Sequence, residues 1–212
     1  MSELLLPQEK YLEAGIYIGT KIKTSDMNQF IYKARKDRLY VLDLKKVDER
    51  LRHAIKFLAK YDVSDILVVA SRTYAINSAS KFAKVMGCTI IRGRFTPGIF
   101  TNPARDNFTE PKLLLVSDPK GERQAVKEAA VMGIPVIGLC DADNSTKFID
   151  LVVPCNNKGR RSLALIYYLL ARELLKAKGD IKGDADFQYT PEDFEVSPDE
   201  RINDEQGVSS TP

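Results

Sequence analysis

Apolar positions change their period along the chain, and the change divides it into two parts. Up to residue 60 they recur mostly at helical spacing. Tyr11, Leu12 and Ala14 follow Pro7 and give way to Gly15 and Gly19, which predicts a short N-terminal helix. Val47, Leu51, Ala54, Ile55 and Leu58 repeat three and four apart, predicting an amphipathic helix over 46–60. Between the two, residues 30–34 and 39–42 flank the polar Arg35, Lys36 and Asp37 as the arms of a hairpin.

From Asp65 onward short apolar runs alternate with helical periods. Residues 66–70, 89–91, 113–116, 135–139 and 151–153 read as buried strands, and 74–86, 120–132 and Arg160–Lys178 as helices. Strands apolar on both faces and separated by helices form a parallel sheet covered on both sides, a doubly wound α/β architecture with right-handed crossovers. Two stretches break the rhythm. The connection over 92–112 holds Pro97, Gly98, Pro103 and Pro111 and is too long for a plain crossover loop. Past Gly179 acids dominate, with scattered Phe187, Tyr189 and Phe194, so 179–212 is expected to be an extended, flexible tail appended to a single domain over 1–178.

Charge sharpens this division. The formal net charge of the 212 residues is only +3. Residues 179–212 carry ten acids against Lys182 and Arg201, a net of −8, which leaves 30 bases and 19 acids, a net of +11, on residues 1–178. A domain so basic suits a polyanion. The three cysteines, Cys88, Cys140 and Cys155, make no CxxC pair for zinc or redox chemistry, and Cys140 and Cys155 lie in apolar runs as buried thiols of a reducing cytosol would. Residues 1–20 lack the pattern of a secretion signal and no apolar run approaches the roughly 20 residues that span a bilayer, so a cytoplasmic protein with no membrane partner is expected.

Open α/β sheets bind ligands beyond the C-terminal ends of their strands, and Asp118, Asp141 and Asp143 all follow predicted strands there. Asp141 and Asp143 form an Asp-x-Asp that would suit Mg²⁺ in a Toprim-type nucleic-acid enzyme. That chemistry also wants a Glu after the first strand, where this chain has Ser71, Arg72 and Thr73. Aspartates are equally common as turn and cap residues. There is no GxGxxG, no GxSxG, and Gly93 to Gly98 is followed by Ile99 where a P-loop needs Lys. His53, the single histidine, falls opposite the apolar stripe of its helix. No catalytic residue, metal, cofactor or small-molecule substrate is therefore assigned, and the protein is not expected to be an enzyme.

Three basic clusters offer a more coherent chemistry. Lys21, Lys23, Lys33, Arg35, Lys36 and Arg38 outnumber Asp26 and Asp37, with Phe30 and Tyr32 interleaved. Cations neutralise phosphates and exposed aromatics stack on unpaired bases. The alternative is a solvated basic face whose aromatics belong to the core. Arg92, Arg94 and Arg105 lie at or within the long connection. Lys158, Arg160 and Arg161 sit at the start of the last helix, where cations oppose the macrodipole unless an anion joins them.

Several stretches resemble a known family in the order expected for it. They are YLEAG at 11–15 with Gly19 and Thr20, LYVLDL at 39–44, GRFTPG at 93–98 with Thr101, Asn102 and Pro103, GIPVIGLCDADN at 133–144, and Pro154 with Asn156 and Asn157. The chain resembles the universal small-subunit ribosomal protein S-two family, called SA in eukaryotes, over roughly residues 5–178. It is most similar to the archaeal and eukaryotic branch, because residues 102–111 are a short connection where bacterial members carry a long helical hairpin. The resemblance implies a flavodoxin-like (Rossmann-like) three-layer α/β/α fold with a five-stranded parallel sheet, bound to ribosomal RNA and neighbouring small-subunit proteins. It further implies a place on the solvent side near the junction of head and body, a role in assembly and translation, and no catalytic site or cofactor.

Overall fold

The computed structural model describes residues 4–195. The N-terminal helix α1, Gln8–Ala14, ends at Gly15, whose φ of 68° is the left-handed conformation that lets the chain reverse at low cost. Tyr11 is buried beneath it, and its hydroxyl donates to Asp48 Oδ1 at 2.7 Å. Strands β1, Ile31–Ala34, and β2, Tyr40–Leu42, form the expected antiparallel hairpin. Helix α2, Leu44–Leu58, is started by the Asp43 side chain, which accepts the Lys45 N–H at 3.0 Å. Its buried stripe is the predicted one, and His53 is exposed.

The alternation that follows gives β3 Ile66–Ala70, α3 Thr73–Met86, β4 Thr89–Arg92, β5 Leu113–Val116, α4 Arg123–Met132, β6 Val136–Cys140, β7 Leu151–Pro154 and α5 Arg160–Lys178. All five strands of the main sheet pair in parallel, in the order β4-β3-β5-β6-β7. The order reverses between β3 and β5, the flavodoxin-like arrangement. Side-chain alternation explains the unbroken apolar runs. Ile66, Val68 and Ala70 face a core shared with Leu51, Phe82 and Tyr167 of α2, α3 and α5, whereas Leu67 and Val69 face Ala125, Val126 and Ala129 of α4.

The long connection completes the second face without a helix. Phe95 and Phe100, with ring centroids 5.1 Å apart, pack there with Ile99. Glu128 of α4 accepts the N–H groups of Gly98 at 2.8 Å and Phe100 at 3.3 Å, so one carboxylate fastens the loop to the layer beneath.

Two expectations change. The strand at 89–91 was expected to be buried on both faces, but β4 is an edge strand whose end residues, Thr89 and Arg92, are exposed. The chain past Gly179 was expected to be extended, yet as far as Glu195 it folds back onto α3 and α5. Phe187 and Phe194 are buried, their centroids 5.5 and 6.1 Å from that of Tyr168, and Ser78 donates to the Phe194 carbonyl at 2.9 Å. Acids there meet bases of α5: Asp184 pairs with Arg172 and Lys176, and Glu195 with Arg160 and Arg161. Aromatic burial and charge pairing together outweigh the acidic composition. The rest of the expected tail, 196–212, lies outside the described residues.

Candidate nucleic-acid interface

The C-terminal end of the sheet, where the fold would hold a ligand, is filled by the protein's own ion pairs. Asp118, almost fully buried, meets Arg72 Nε at 2.6 Å and accepts from Asn144 Nδ2 at 2.9 Å. Lys158 Nζ lies 2.9 Å from Asp141 Oδ2 and 2.6 Å from Asp143 Oδ1, and Lys120 reaches the second Asp143 oxygen at 3.1 Å. Burial pushes the Asp141 carboxyl up, opposed by Lys158. Burial also pushes the Asp143 carboxyl up, but the hydrogen bonds from Lys158 and Lys120 outweigh it and the net displacement is downward. Both acids of the Asp-x-Asp are thus held by cations of the chain. Among the described residues no group of three or more His, Cys, Asp or Glu side chains is arranged to hold a metal ion.

A fourth acid, which sequence reasoning did not assign, closes the switch point between β3 and β5. Glu122 is buried and accepts the Ser71 N–H at 2.8 Å, the Ser71 hydroxyl at 3.1 Å and the Asp118 N–H at 3.1 Å. Burial raises its carboxyl to about 8 against the pull of those N–H groups. The Ser71 N–H after β3, which would face a ligand phosphate in a nucleotide-binding protein of this fold, faces the Glu122 carboxyl group here. Gly121 permits this, since a Cβ at that position would stand 3.0 Å from Ser71 Oγ.

The basic residues divide sharply. Lys21, Lys23, Lys33, Arg35, Lys36 and Arg38 are all exposed. Lys23 lies 5.1 Å from the Tyr40 ring centroid and Lys33 5.7 Å from that of Tyr32, while Arg35 meets Asp37 at 3.6 Å in a solvated pair. The interleaved aromatics separate as well: Phe30 is buried with Met27, Cys140 and Val152, whereas Tyr32 is 68% exposed. The segment leading into the hairpin is anchored at the C-terminal end of β6, where Thr24 N–H donates to the Ala142 carbonyl at 3.0 Å.

Arg92 and Arg94 are also exposed but belong to the β4 edge, at the other end of the strand order from β6 and β7. Arg105 braces its own loop by donating to the Pro97 carbonyl. Lys158 serves Asp141 and Asp143. At the start of α5, Glu195 stands where an anion was expected: Arg160 Nη2 lies 2.7 Å and Arg161 Nε 3.7 Å from its Oε1. The structure therefore gathers the six N-terminal cations on an outward-facing segment and ties Arg105, Lys158 and Arg160 to groups of the chain itself, while Arg161, 72% exposed, meets Glu195 only loosely.

Comparison with known proteins bears on this arrangement. The family model described as ribosomal protein S2 matches residues 11–107 and 103–177, two stretches that overlap within the long connection between β4 and β5. The small ribosomal subunit protein uS2 of Picrophilus torridus is 54% identical over 194 residues, covering 92% of this chain and 97% of that protein. The proteins of the same name from Thermoplasma acidophilum and Saccharolobus solfataricus are 53% and 50% identical, again over 92% of this chain and over 98% and 84% of their own lengths.

Proposed function

Because the chain belongs to the ribosomal protein S2 family, we propose that it is a structural constituent of the small ribosomal subunit that binds ribosomal RNA through its outward-facing basic segments. Lys21, Lys23, Lys33, Arg35, Lys36 and Arg38 hold phosphates, with Arg92 and Arg94 making a second contact region on the β4 edge. The sheet acts as a rigid frame, and contacts of this kind follow RNA shape more than sequence. Neighbouring small-subunit proteins complete the setting, near the junction of head and body, where the domain supports assembly and translation in the cytoplasm.

The observation that carries this reading is the exposure of all six N-terminal cations while the acids at the sheet end are bound to cations of their own. No helix among the described residues is long and apolar enough to cross a membrane. Arg105, Lys158 and Arg160 join the interface only if their internal partners are exchanged for phosphate, whereas Arg161 is exposed enough to join it directly.

Rebinding of the protein to small subunits depleted of it tests the reading. If about six phosphates are contacted, affinity falls on the order of a thousandfold between 50 and 200 mM salt. Rebinding that ignores salt contradicts it.

A further inference from the structure

Among the described residues only two other than glycine have positive φ, Arg38 at 65° and Phe148 at 64°. Arg38 sits in the hairpin turn of the basic segment, where a left-handed residue is common. Phe148 is the stranger of the two. A bulky side chain is disfavoured in the left-handed region because its Cβ crowds the backbone, and such residues persist only where their surroundings hold them. Core packing of the ring would be the ordinary compensation, but the residue is 52% exposed.

The loop is pinned on both sides of it. Upstream, Asp26 Oδ2 accepts the Thr146 N–H at 3.1 Å and lies 3.3 Å from Ser145 Oγ, and Thr24 donates its hydroxyl to the Asn144 carbonyl at 2.7 Å. Downstream, the Ile149 N–H closes a turn onto the Thr146 carbonyl at 3.1 Å, and Asp150 accepts the Val136 N–H at 2.8 Å. Ile149 packs on Gly138 of β6, where a Cβ would stand 3.0 Å from Ile149 Cδ1. A glycine in mid-strand weakens a sheet, and here it makes room for the residue that locks the loop. With Ile149 held inward, the turn carries Phe148 outward. Lys147 Nζ stands 5.0 Å from the ring centroid, and the Thr24 and Asp26 bonds set the loop beside the segment that bears Lys21 and Lys23.

We propose that Phe148 is a stacking platform for an unpaired base of the ribosomal RNA, with Lys147 neutralising the adjacent phosphate. This rests on the RNA-binding reading above and adds a base contact to a surface otherwise made of charge. Charge complementarity favours RNA over a protein partner: an exposed aromatic side chain with Lys147 beside it, on a loop tied to the basic N-terminal segment, offers a π-face and a cation together, which suits single-stranded nucleic acid.

Rebinding to depleted small subunits, combined with ultraviolet crosslinking and mass spectrometry of the reconstituted particles, tests it. Phe148→Ala is expected to weaken rebinding about tenfold and Phe148→Tyr by less than about twofold, since both aromatic rings stack. Phe148→Gly, which suits the left-handed backbone, is expected to weaken rebinding equally while the thermal midpoint of the free protein stays the same or rises. The wild-type peptide containing Phe148 is expected to carry a nucleotide adduct.

Unchanged rebinding of Phe148→Ala overturns the proposal. So does a crosslink from Phe148 to protein, or a large loss of thermal stability in Phe148→Gly. If nucleotide adducts appear at Lys21 to Arg38 but not at Phe148, the stacking site falls and the RNA-binding reading stands. If rebinding is salt-insensitive and no nucleotide adducts appear anywhere, both fall.

Discussion

The C-terminal end of the sheet and the N-terminal basic segment are both dense in charge, and they use it in opposite ways. At the sheet end Asp118, Asp141 and Asp143 are nearly buried and matched to Arg72, Lys120 and Lys158 at 2.6 to 3.1 Å. Along the basic segment the six cations face solvent, and the one ion pair they make among the described residues, Arg35 with Asp37, is half exposed on both sides. Buried charges paired within the chain hold the architecture, because an unpaired one would cost several kcal/mol. Exposed charges of one sign contribute little to the fold and leave a field for a partner. A concentration of ionisable residues where this fold keeps its ligands is thus no measure of chemistry there.

Removing a cation from the paired region should produce the largest effect. Lys158→Ala leaves Asp141, 1% exposed, without its counter-ion, and since Lys158 itself is 30% exposed the expected loss is about 2–4 kcal/mol. A urea unfolding midpoint that falls accordingly, with RNA affinity of the folded protein preserved, sharpens the contrast between the two regions. Unchanged stability with weakened RNA binding would move Lys158 to the RNA side.

Glu122 tests the same region by pH. Its folded carboxyl, raised by burial to about 8 from an unfolded value near 4.5, favours the protonated form in the native state. Its contribution to stability is therefore full below pH 4.5 and is lost as pH rises towards 8. Glu122→Gln should flatten that decline, at a cost of about 1–2 kcal/mol at low pH for an N–H left without its acceptor. Parallel stability profiles for the two proteins would show that the carboxyl titrates normally.

The smallest effect belongs to the border between the two regimes. Glu195→Gln removes one charged partner of Arg160 and Arg161 at a partly exposed site and should cost no more than about 1 kcal/mol in thermal unfolding. A larger loss would make the segment that folds back over α5 a structural strap.

What could be read from the sequence follows from the range of the forces involved. The strands β3, β5 and β6 were legible because both their faces are buried, leaving continuous apolar runs. β4 carries a similar run, but being an edge depends on strand order, which periodicity does not encode. Tyr32 and Phe30 differ by two positions and were legible only as an aromatic pair; their separation depends on Phe30 meeting Cys140 and Val152 from distant strands. The pairing of Lys158 with Asp141 spans 17 residues and that of Glu122 with Ser71 spans 51, so the network at the sheet end appears in the chain only as scattered charges. Phe187 and Phe194 were visible within an acidic run, but their burial against Tyr168 was not. Phe148 gave no signal except its place beside Lys147, because nothing in its type announces a left-handed backbone.

If the exposed segment is where phosphates are held, removing its cations must change how binding responds to salt. Rebinding to depleted small subunits across a salt series, with wild type and with Lys33, Arg35, Lys36 and Arg38 all changed to Gln, measures this directly. The slope of log affinity against log salt should fall by about 3 in the variant, at about 0.7–0.9 for each phosphate no longer neutralised, while its stability in urea stays within about 0.5 kcal/mol of wild type. An unchanged slope in a fully folded variant would contradict the account.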